Sequence, residues 1–302
     1  MGLILVTGGA GLIGTTLRRH LVAAGHRLRT LDTRAVELTS RGDIRDTARL
    51  REAVAGCDGI VHLAAVARVA LAECEPVLCE ATNVDALRSL LQLALESNRR
   101  PWVLFASSRE VYGQPSVLPV VEDAPLAPIN VYGRSKAAGE HLCAEAGRAG
   151  LRTAIVRLSN VYGSMHDHAD RVIPAFVQAA LAGRPLQVHG AESALDFTHV
   201  DDVADGLTRV VGALTSERIL PPTHLTSGVA TSLAELAALV IRTTGSSAVT
   251  EQTPARCFDV TRFLGDSTRA RSLLGWQVTT SLEAGLARLA AEFRATSEVS
   301  VR

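Results

Sequence analysis

Lysine is all but absent from this 302-residue chain: of its 31 basic residues, Lys136 alone is a lysine and the other 30 are arginines. Aromatic residues make up only 4% of the chain, and its three tyrosines, Tyr112, Tyr132 and Tyr162, each sit in a Val-Tyr-Gly triplet. Net charge is missing as well, 31 basic against 31 acidic residues, which removes the electrostatic footprint of a nucleic-acid binder. No apolar run approaches the ~20 residues that cross a membrane. The apolar start, Met1 to Val6, lacks a basic leader and is soon broken by glycines, so no secretory signal is expected. The five cysteines are odd in number and lack metal-ligand spacing; the closest pair, Cys74 and Cys79, suits core packing. A reduced, cytoplasmic protein is expected. His166, Asp167, His168 and Asp170 could suggest a metal site, but their spacing orders nothing, so a solvated loop and no metal are expected.

What is present is a full-sized core, 47% apolar residues, arranged as alternating strands and helices. Strands are predicted at Leu3–Thr7, Arg27–Asp32, Gly59–Leu63, Trp102–Ala106 and Thr153–Leu158. Helices are predicted between them at Leu12–Ala24 and Asp46–Ala55, over a long region interrupted at Pro76, and at Asn130–Arg148. That alternation predicts an α/β fold with a doubly wound parallel sheet. After Gly163 the pieces shorten. Helices are expected near Arg171–Leu181, Asp201–Leu214, Ser232–Arg242 and Ser281–Phe293, and strands near Leu186–His189, Phe197–Val200 and His224–Thr226. We read residues 1–163 as one domain whose sheet later segments complete, and 164–302 mainly as a smaller mixed α/β substrate-binding domain.

The first strand runs into Thr7-Gly8-Gly9-Ala10-Gly11-Leu12-Ile13-Gly14. Glycines at a strand-to-helix junction allow a tight turn, close approach to a pyrophosphate and tight helix packing, with the phosphates at a helix N-terminus. A glycine-rich stretch alone is a weak signal, but its place here strengthens it. Asp32 ends the second strand, 18 residues past Gly14, where a carboxylate accepts both ribose hydroxyls and repels a 2′-phosphate. NAD is therefore favoured over NADP, with Arg34 nearby as the opposing feature.

Tyr132 and Lys136 are four apart on a predicted helix and share one face. A free phenol, pKa ~10, is a poor base at neutral pH. A neighbouring ammonium and a cationic nicotinamide ring both favour the phenolate. Tyr132 is thus a candidate base for a sugar or alcohol hydroxyl. Two amphipathic surface residues at helical spacing are the plainer reading, but the chain's one lysine occupies the spot. Ser107 and Ser108 follow the apolar strand at the sheet edge where ligands bind in such folds.

Further segments occur in order: Gly42-Asp43-Ile44-Arg45-Asp46, His62-Leu63-Ala64-Ala65, Asn83, Ser107-Ser108 before Val111-Tyr112-Gly113, Tyr132-Gly-Arg-Ser-Lys136, Arg157 to Gly163, and Asp196 to Val203. Together with the glycine turn, the whole resembles the extended short-chain dehydrogenase/reductase family of nucleotide-sugar epimerases and dehydratases, from about residue 3 to Leu274-Gly275-Trp276. The resemblance implies a Rossmann domain. It implies that Gly8, Gly11, Leu12, Ile13 and Gly14 hold the NAD pyrophosphate, that Asp32 holds the ribose, and that Asp43 and Ile44 hold the adenine. Leu63, Ala64, Ala65 and Asn83 would line the dinucleotide path, and Lys136 would also hold the nicotinamide ribose. Ser108 matches the serine or threonine that hydrogen-bonds the reacting oxygen. Asn160 and Arg256 match residues that contact the substrate's diphosphate. A homodimer through the helices near residues 77–97 and 132–149 is implied too.

Two departures stand out. Leu195 occupies the place of an arginine that usually precedes Asp-Phe and clamps the diphosphate. Either another arginine, such as Arg171, substitutes, or the leaving half is not a diphosphate. Glu110 stands where dehydratases and UDP-glucuronate decarboxylases carry an acid that works around carbon 5, but Arg109 precedes it. Arg109 could neutralise Glu110 or meet a substrate carboxylate. The expectation is a carbon-4 epimerase of a UDP- or dTDP-sugar, with a hexuronic acid as a narrower form. The alternatives are a dehydratase or decarboxylase using Glu110, a non-catalytic NAD sensor, and a carbonyl reductase, which Asp32 disfavours.

Overall fold

The computed structural model describes residues 2–300, with side chains to Thr296. In chain order the elements are β1 (Leu3–Thr7), α1 (Leu12–Ala23), β2 (Arg27–Leu31), α2 (Thr47–Val54), β3 (Gly59–His62), α3 (Val69–Cys74), α4 (Pro76–Glu80), α5 (Ala86–Glu96) and β4 (Trp102–Ser108). They continue with α6 (Val131–Arg148), β5 (Thr153–Leu158), β6 (Asn160–Tyr162), α7 (Val172–Leu181), β7 (Leu186–His189), β8 (Ala194–His199), α8 (Val200–Thr215), β9 (Thr223–Leu225) and β10 (Ala230–Ser232). The last are α9 (Leu233–Thr244), β11 (Thr250–Thr253), α10 (Thr268–Leu274) and α11 (Leu282–Ser300).

Six strands form one sheet in the order β2-β1-β3-β4-β5-β9, every pairing parallel. From β1 the chain winds outward to β2 on one side and to β3 on the other, so a crevice opens between β1 and β3 at the carboxyl edge. The strands read as apolar runs because both faces are covered: all seven residues of β4 are buried. On one face α1 and α8 bring Leu17, Leu21, Val203, Leu207 and Val210; on the other α2, α5 and α6 bring Leu50, Leu87, Leu90 and Cys143. Each fully buried leucine contributes about 1.5–3 kcal/mol. A separate apolar cluster joins α7, α9 and α11 to β7 and β8 through Phe176, Val177, Leu186, Leu236 and Leu289.

Local chemistry sets the boundaries. Asp46 caps α2 by accepting from the Ala48 and Arg49 amides, Asn130 caps α6 by accepting from Gly133, and Ser232 with Glu235 forms a reciprocal capping box on α9. The structure also departs from the sequence reading in places. Pro76 opens α4 instead of merely breaking a helix, since proline suits the first helical turn. A π-helical turn at Ala81–Asp85 then leads into α5. Strand β4 runs on through Ser107 and Ser108, and β8 begins at Ala194, while Val200 starts α8. Strands β6, β10 and β11, helix α10 and the 3₁₀ turn Arg109–Tyr112 were not foreseen.

Candidate active site

The glycine turn fits a dinucleotide. Gly8 has φ +71°, and a Cβ there would lie 2.6 Å from the Ala64 nitrogen and 2.8 Å from the Leu63 carbonyl carbon. Glycine alone lets the turn after β1 lie on the loop after β3. A Cβ on Gly14 would strike the Gly8 carbonyl oxygen, which brings α1 hard against the turn. Gly11 faces more open space, where a Cβ would meet Arg34 Nη2 at 3.2 Å and the Gly8 oxygen at 3.3 Å. Helix α1 starts there with no side-chain cap and no acidic residue in its first turn, leaving its first amides for an anion. Leu12 is buried and Ile13 reaches the cleft described below.

Asp32 is buried, and its carboxylate accepts from the Ala10 amide at 2.9 Å and the Arg34 amide at 2.7 Å. It therefore ties the end of β2 to the glycine turn. The Arg34 guanidinium lies 3.9 Å away and is half exposed. Asp43 is held by Arg45 through bonds of 2.6–3.1 Å, and this pairing keeps its carboxyl below the usual carboxylate range. Ile44 is buried beside it in chain. Asn83, on the π-helical turn, spends its amide inside the protein: it accepts from the Val66 amide and donates to Ser135 Oγ and the Val66 carbonyl. It braces the loop after β3, and does not line the cleft.

That cleft, about 440 Å³, opens at the carboxyl ends of β4 and β5. Leu63, Ala65, Ser108, Tyr132 and Lys136 line it on the sheet side, and Arg171, Leu195 and Arg256 on the other. The motif residues for chemistry thus converge from elements far apart in sequence. Another hollow, about 520 Å³, lies along edge strand β2 among Arg18, Arg27, Arg29 and Arg49. It contains none of these residues and no tyrosine or lysine, so the chemistry belongs to the cleft.

Lys136 is buried and donates to the Ala106 carbonyl at 2.8 Å, with Nζ 5.8 Å from the Tyr132 ring centre. Burial lowers the ammonium to about 8. Burial also pushes the Tyr132 phenol up to about 12, although Arg171 and the Ser108 hydroxyl pull it down. The sequence reading expected Lys136 and a nicotinamide ring to bring the phenol toward neutrality; in the chain alone desolvation dominates, and the groups that pull the phenol down are Arg171 and Ser108, not Lys136. Ser108 Oγ accepts from the Glu110 amide at 3.2 Å, which fixes its hydroxyl at the head of the 3₁₀ turn.

Arg109 and Glu110 are both buried and pair with each other, Nη2 to Oε1 at 2.8 Å. The other Glu110 oxygen accepts from Asn130 Nδ2 at 2.7 Å. Asn160 turns its Oδ1 to Arg109 Nη2 at 3.5 Å and donates to the Asp196 carbonyl. Arg256 pairs with Asp259 at 2.9 Å, and Arg171 with Asp167 at 3.4 Å.

Several neighbours carried no sequence signal. Arg68 and Asp170, 102 residues apart, form a 2.6 Å ion pair at the cleft. With Asp167 on Arg171, two carboxylates of this loop pair with arginines, while His166 and Asp170 stay exposed to solvent. No cluster of His, Cys, Asp or Glu among the described residues could hold a metal ion. Behind Ser107, which donates to Glu140 Oε1 at 2.5 Å, Glu140 makes a two-pronged pair with Arg157 at 2.8 and 2.6 Å. Arg157 continues to Tyr112 Oη, which meets His224 Nε2 at 2.6 Å. His62 bonds Thr7 Oγ1, and burial takes its imidazole down to about 3, so it is neutral.

A parallel doubly wound sheet, a glycine turn at its switch point and a tyrosine–lysine pair at its carboxyl edge define a dinucleotide-dependent enzyme of the Rossmann class. The pattern of the NAD dependent epimerase/dehydratase family matches residues 4–220, and the chain belongs to that family. It is 34% identical to a UDP-glucose 4-epimerase of Mycolicibacterium smegmatis, over 97% of this chain and 99% of that one. It is 30% identical to UDP-glucuronic acid decarboxylase 1 of Danio rerio, over 94% of this chain and 70% of that one. Its fold matches MoeE5 in complex with UDP-glucose and NAD, with a TM-score of 0.90 and 30% identity, over 98% of this chain and 100% of that one. The same protein in complex with UDP-glucuronic acid and NAD matches with a TM-score of 0.88, 28% identity and the same coverage. The chain is an NAD-dependent enzyme of the epimerase/dehydratase class. No helix of the described residues is long and apolar enough to cross a membrane.

Proposed function

We propose that the protein is a nucleotide-sugar epimerase that inverts carbon 4 through a transient 4-keto sugar. The phenol oxygen of Tyr132 takes the proton of the 4-hydroxyl, and Ser108 hydrogen-bonds the same oxygen. NAD, held as below, would supply the hydride acceptor and donor, and its cationic ring would favour the phenolate of Tyr132, whose phenol burial holds near 12. Lys136, buried under the ring of Tyr132, adds its ammonium from the sheet side. Gly8, Gly11 and Gly14 would seat the pyrophosphate, Asp32 the ribose, and Asn160 and Arg256 the sugar's diphosphate. A hexuronic acid as the sugar, a homodimeric assembly and a cytoplasmic location are narrower parts of the same proposal.

The observation that carries epimerisation over elimination is the state of Glu110. Both of its oxygens are engaged, one by Arg109 and one by Asn130, in a buried setting. A carboxylate fixed in this way is a poor acid or base at carbon 5. The Glu110→Gln variant should therefore still isomerise a UDP-sugar, though more slowly because Arg109 loses its counter-charge. Accumulation of reduced cofactor with no product in that variant would favour a dehydratase or decarboxylase.

A further inference from the structure

We propose that the open edge of β2 is a docking site for an extended acidic segment of a partner protein, which adds as one more strand against Leu28 and Thr30 and sets adjacent carboxylates on Arg18 and Arg27.

In β2 every second residue turns its amide and carbonyl toward β1: the Arg27 amide donates to the Gly2 carbonyl, and the Leu31 carbonyl accepts from the Gly8 amide. Leu28, Thr30 and Asp32 therefore turn theirs outward. Asp32 finds partners there. Its amide donates to the Ser40 carbonyl at 3.0 Å and its carbonyl accepts from the Gly42 amide at 3.2 Å, a parallel bridge in the next strand position. Leu28 and Thr30 find none among the described residues, since β2 is the last strand of the sheet. Such a row of free donors and acceptors is a template for another strand. The hollow of about 520 Å³ runs along this stretch, with Leu28 and Thr30 in its lining, Arg18 of α1 on one lip, and Arg49 and Glu52 of α2 on the other.

Charge names the occupant. Four arginines and two glutamates line the hollow. Glu52 is paired with Arg49 at 2.5 Å, and Arg29 spends Nη1 on the carbonyls that end α2. The side chains of Arg18 and Arg27 have no ion pair or hydrogen bond among the described residues. A Cβ on Gly9 would meet both Thr30 Cγ2 and Arg18 Cδ, so Arg18 stands on the Thr30 face of the strand, whereas Arg27 shares the opposite face with Arg29. Consecutive residues of an added strand also point to opposite faces, so two acidic residues in succession reach both guanidinium groups. A second copy of this chain does not fit, because an antiparallel β2 would set Arg27 and Arg29 against Arg29 and Arg27. A bare anion would take the donors and leave the two carbonyls unmet; a peptide backbone meets both.

The test titrates the full NAD-loaded chain with the capped peptide acetyl-Val-Thr-Glu-Glu-Val-Val-amide by calorimetry, and follows amide hydrogen exchange by NMR. Saturable binding should slow exchange at Leu28 and Thr30 and leave Arg27 and Arg29, already in the ladder with β1, as they were. The same peptide with Lys-Lys in place of Glu-Glu should bind about 10-fold more weakly, and Arg18→Gln should weaken the acidic peptide about 10-fold. Leu28→Pro removes one outward donor at an edge position that tolerates proline, and should lose the peptide while keeping NAD. Should that variant not fold, two peptides N-methylated at alternate nitrogens take its place: one should bind and the other should not. Absence of saturable binding, equal binding of the lysine peptide, or equal binding of both methylated peptides overturns the proposal. Displacement by UDP overturns it too, by placing the peptide in the cleft. So does displacement by inorganic phosphate with no slowing at Leu28 and Thr30, the mark of a simple anion site.

Discussion

Replacing Arg157 by leucine should destabilise the protein by about 3–5 kcal/mol, because it strands a buried charge. Arg157 and Glu140 expose only 5% and 6% of their side chains and are joined by bonds of 2.8 and 2.6 Å. The same guanidinium donates at 2.6 Å to Tyr112 Oη and at 2.6 Å to the Glu122 carbonyl. Without it, Glu140 keeps only the Ser107 hydroxyl as a hydrogen-bond donor among the described residues. Against a typical total of about 5–15 kcal/mol, such a loss is severe. Urea unfolding can be followed by the fluorescence of Trp102 and Trp276, both buried. Removing both charges in Arg157→Leu/Glu140→Leu should recover much of the loss, since the cost lies in the orphaned charge and not in the missing attraction. A single variant within 1 kcal/mol of wild type, an order-of-magnitude bound well below that range, would refute the reasoning. So would a double variant worse than either single one.

Tyr132→Phe should retain NAD binding while its turnover falls by about 10²–10⁴-fold, read by steady-state kinetics and by NAD released on denaturation. Gly8→Ala should weaken NAD binding, because a Cβ at φ +71° would stand 2.6 Å from the Ala64 nitrogen; calorimetric titration of NAD checks this. Burial lowers His62 to about 3 and His224 to about 4, both below the unfolded value of about 6.5. In that window the unfolded chain binds protons that the native chain refuses, so stability is present above about 6.5 and is lost as pH falls. His62→Asn should flatten the fall between about pH 6 and 4 by up to ~1.4 kcal/mol per pH unit, measured by urea titration at each pH.

The parallel sheet was legible because strands buried on both faces are apolar runs, as in Trp102–Ala106 and Thr153–Leu158, and because helices with clear caps separate them. The cleft was legible where chemistry demands a rare residue in fixed spacing, the single lysine four residues past Tyr132; the glycines after β1 and Asp32 after β2 were legible as the turn at the switch point of the sheet, apart from the residues that line the cleft. Elsewhere the signal is absent for physical reasons. Strand β11 is exposed along its whole length, and β6 and β10 are three residues each, so no alternation marks them. The ion pairs Arg157–Glu140 and Arg68–Asp170 depend on tertiary approach, which neighbouring letters do not encode. Arg109 and Glu110 allowed two readings in sequence, mutual neutralisation or service to a substrate. The structure shows the pairing and, at Nη1, a donor it leaves over.

The most direct test of the central claim is mass spectrometry with isomer-resolving chromatography on the purified protein incubated with UDP-glucose, UDP-glucuronate and their dTDP and N-acetyl relatives. A product of unchanged mass and altered retention, assigned as the carbon-4 epimer, is the expected result. A product lighter by water or carbon dioxide would contradict epimerisation and make Glu110 a catalytic residue.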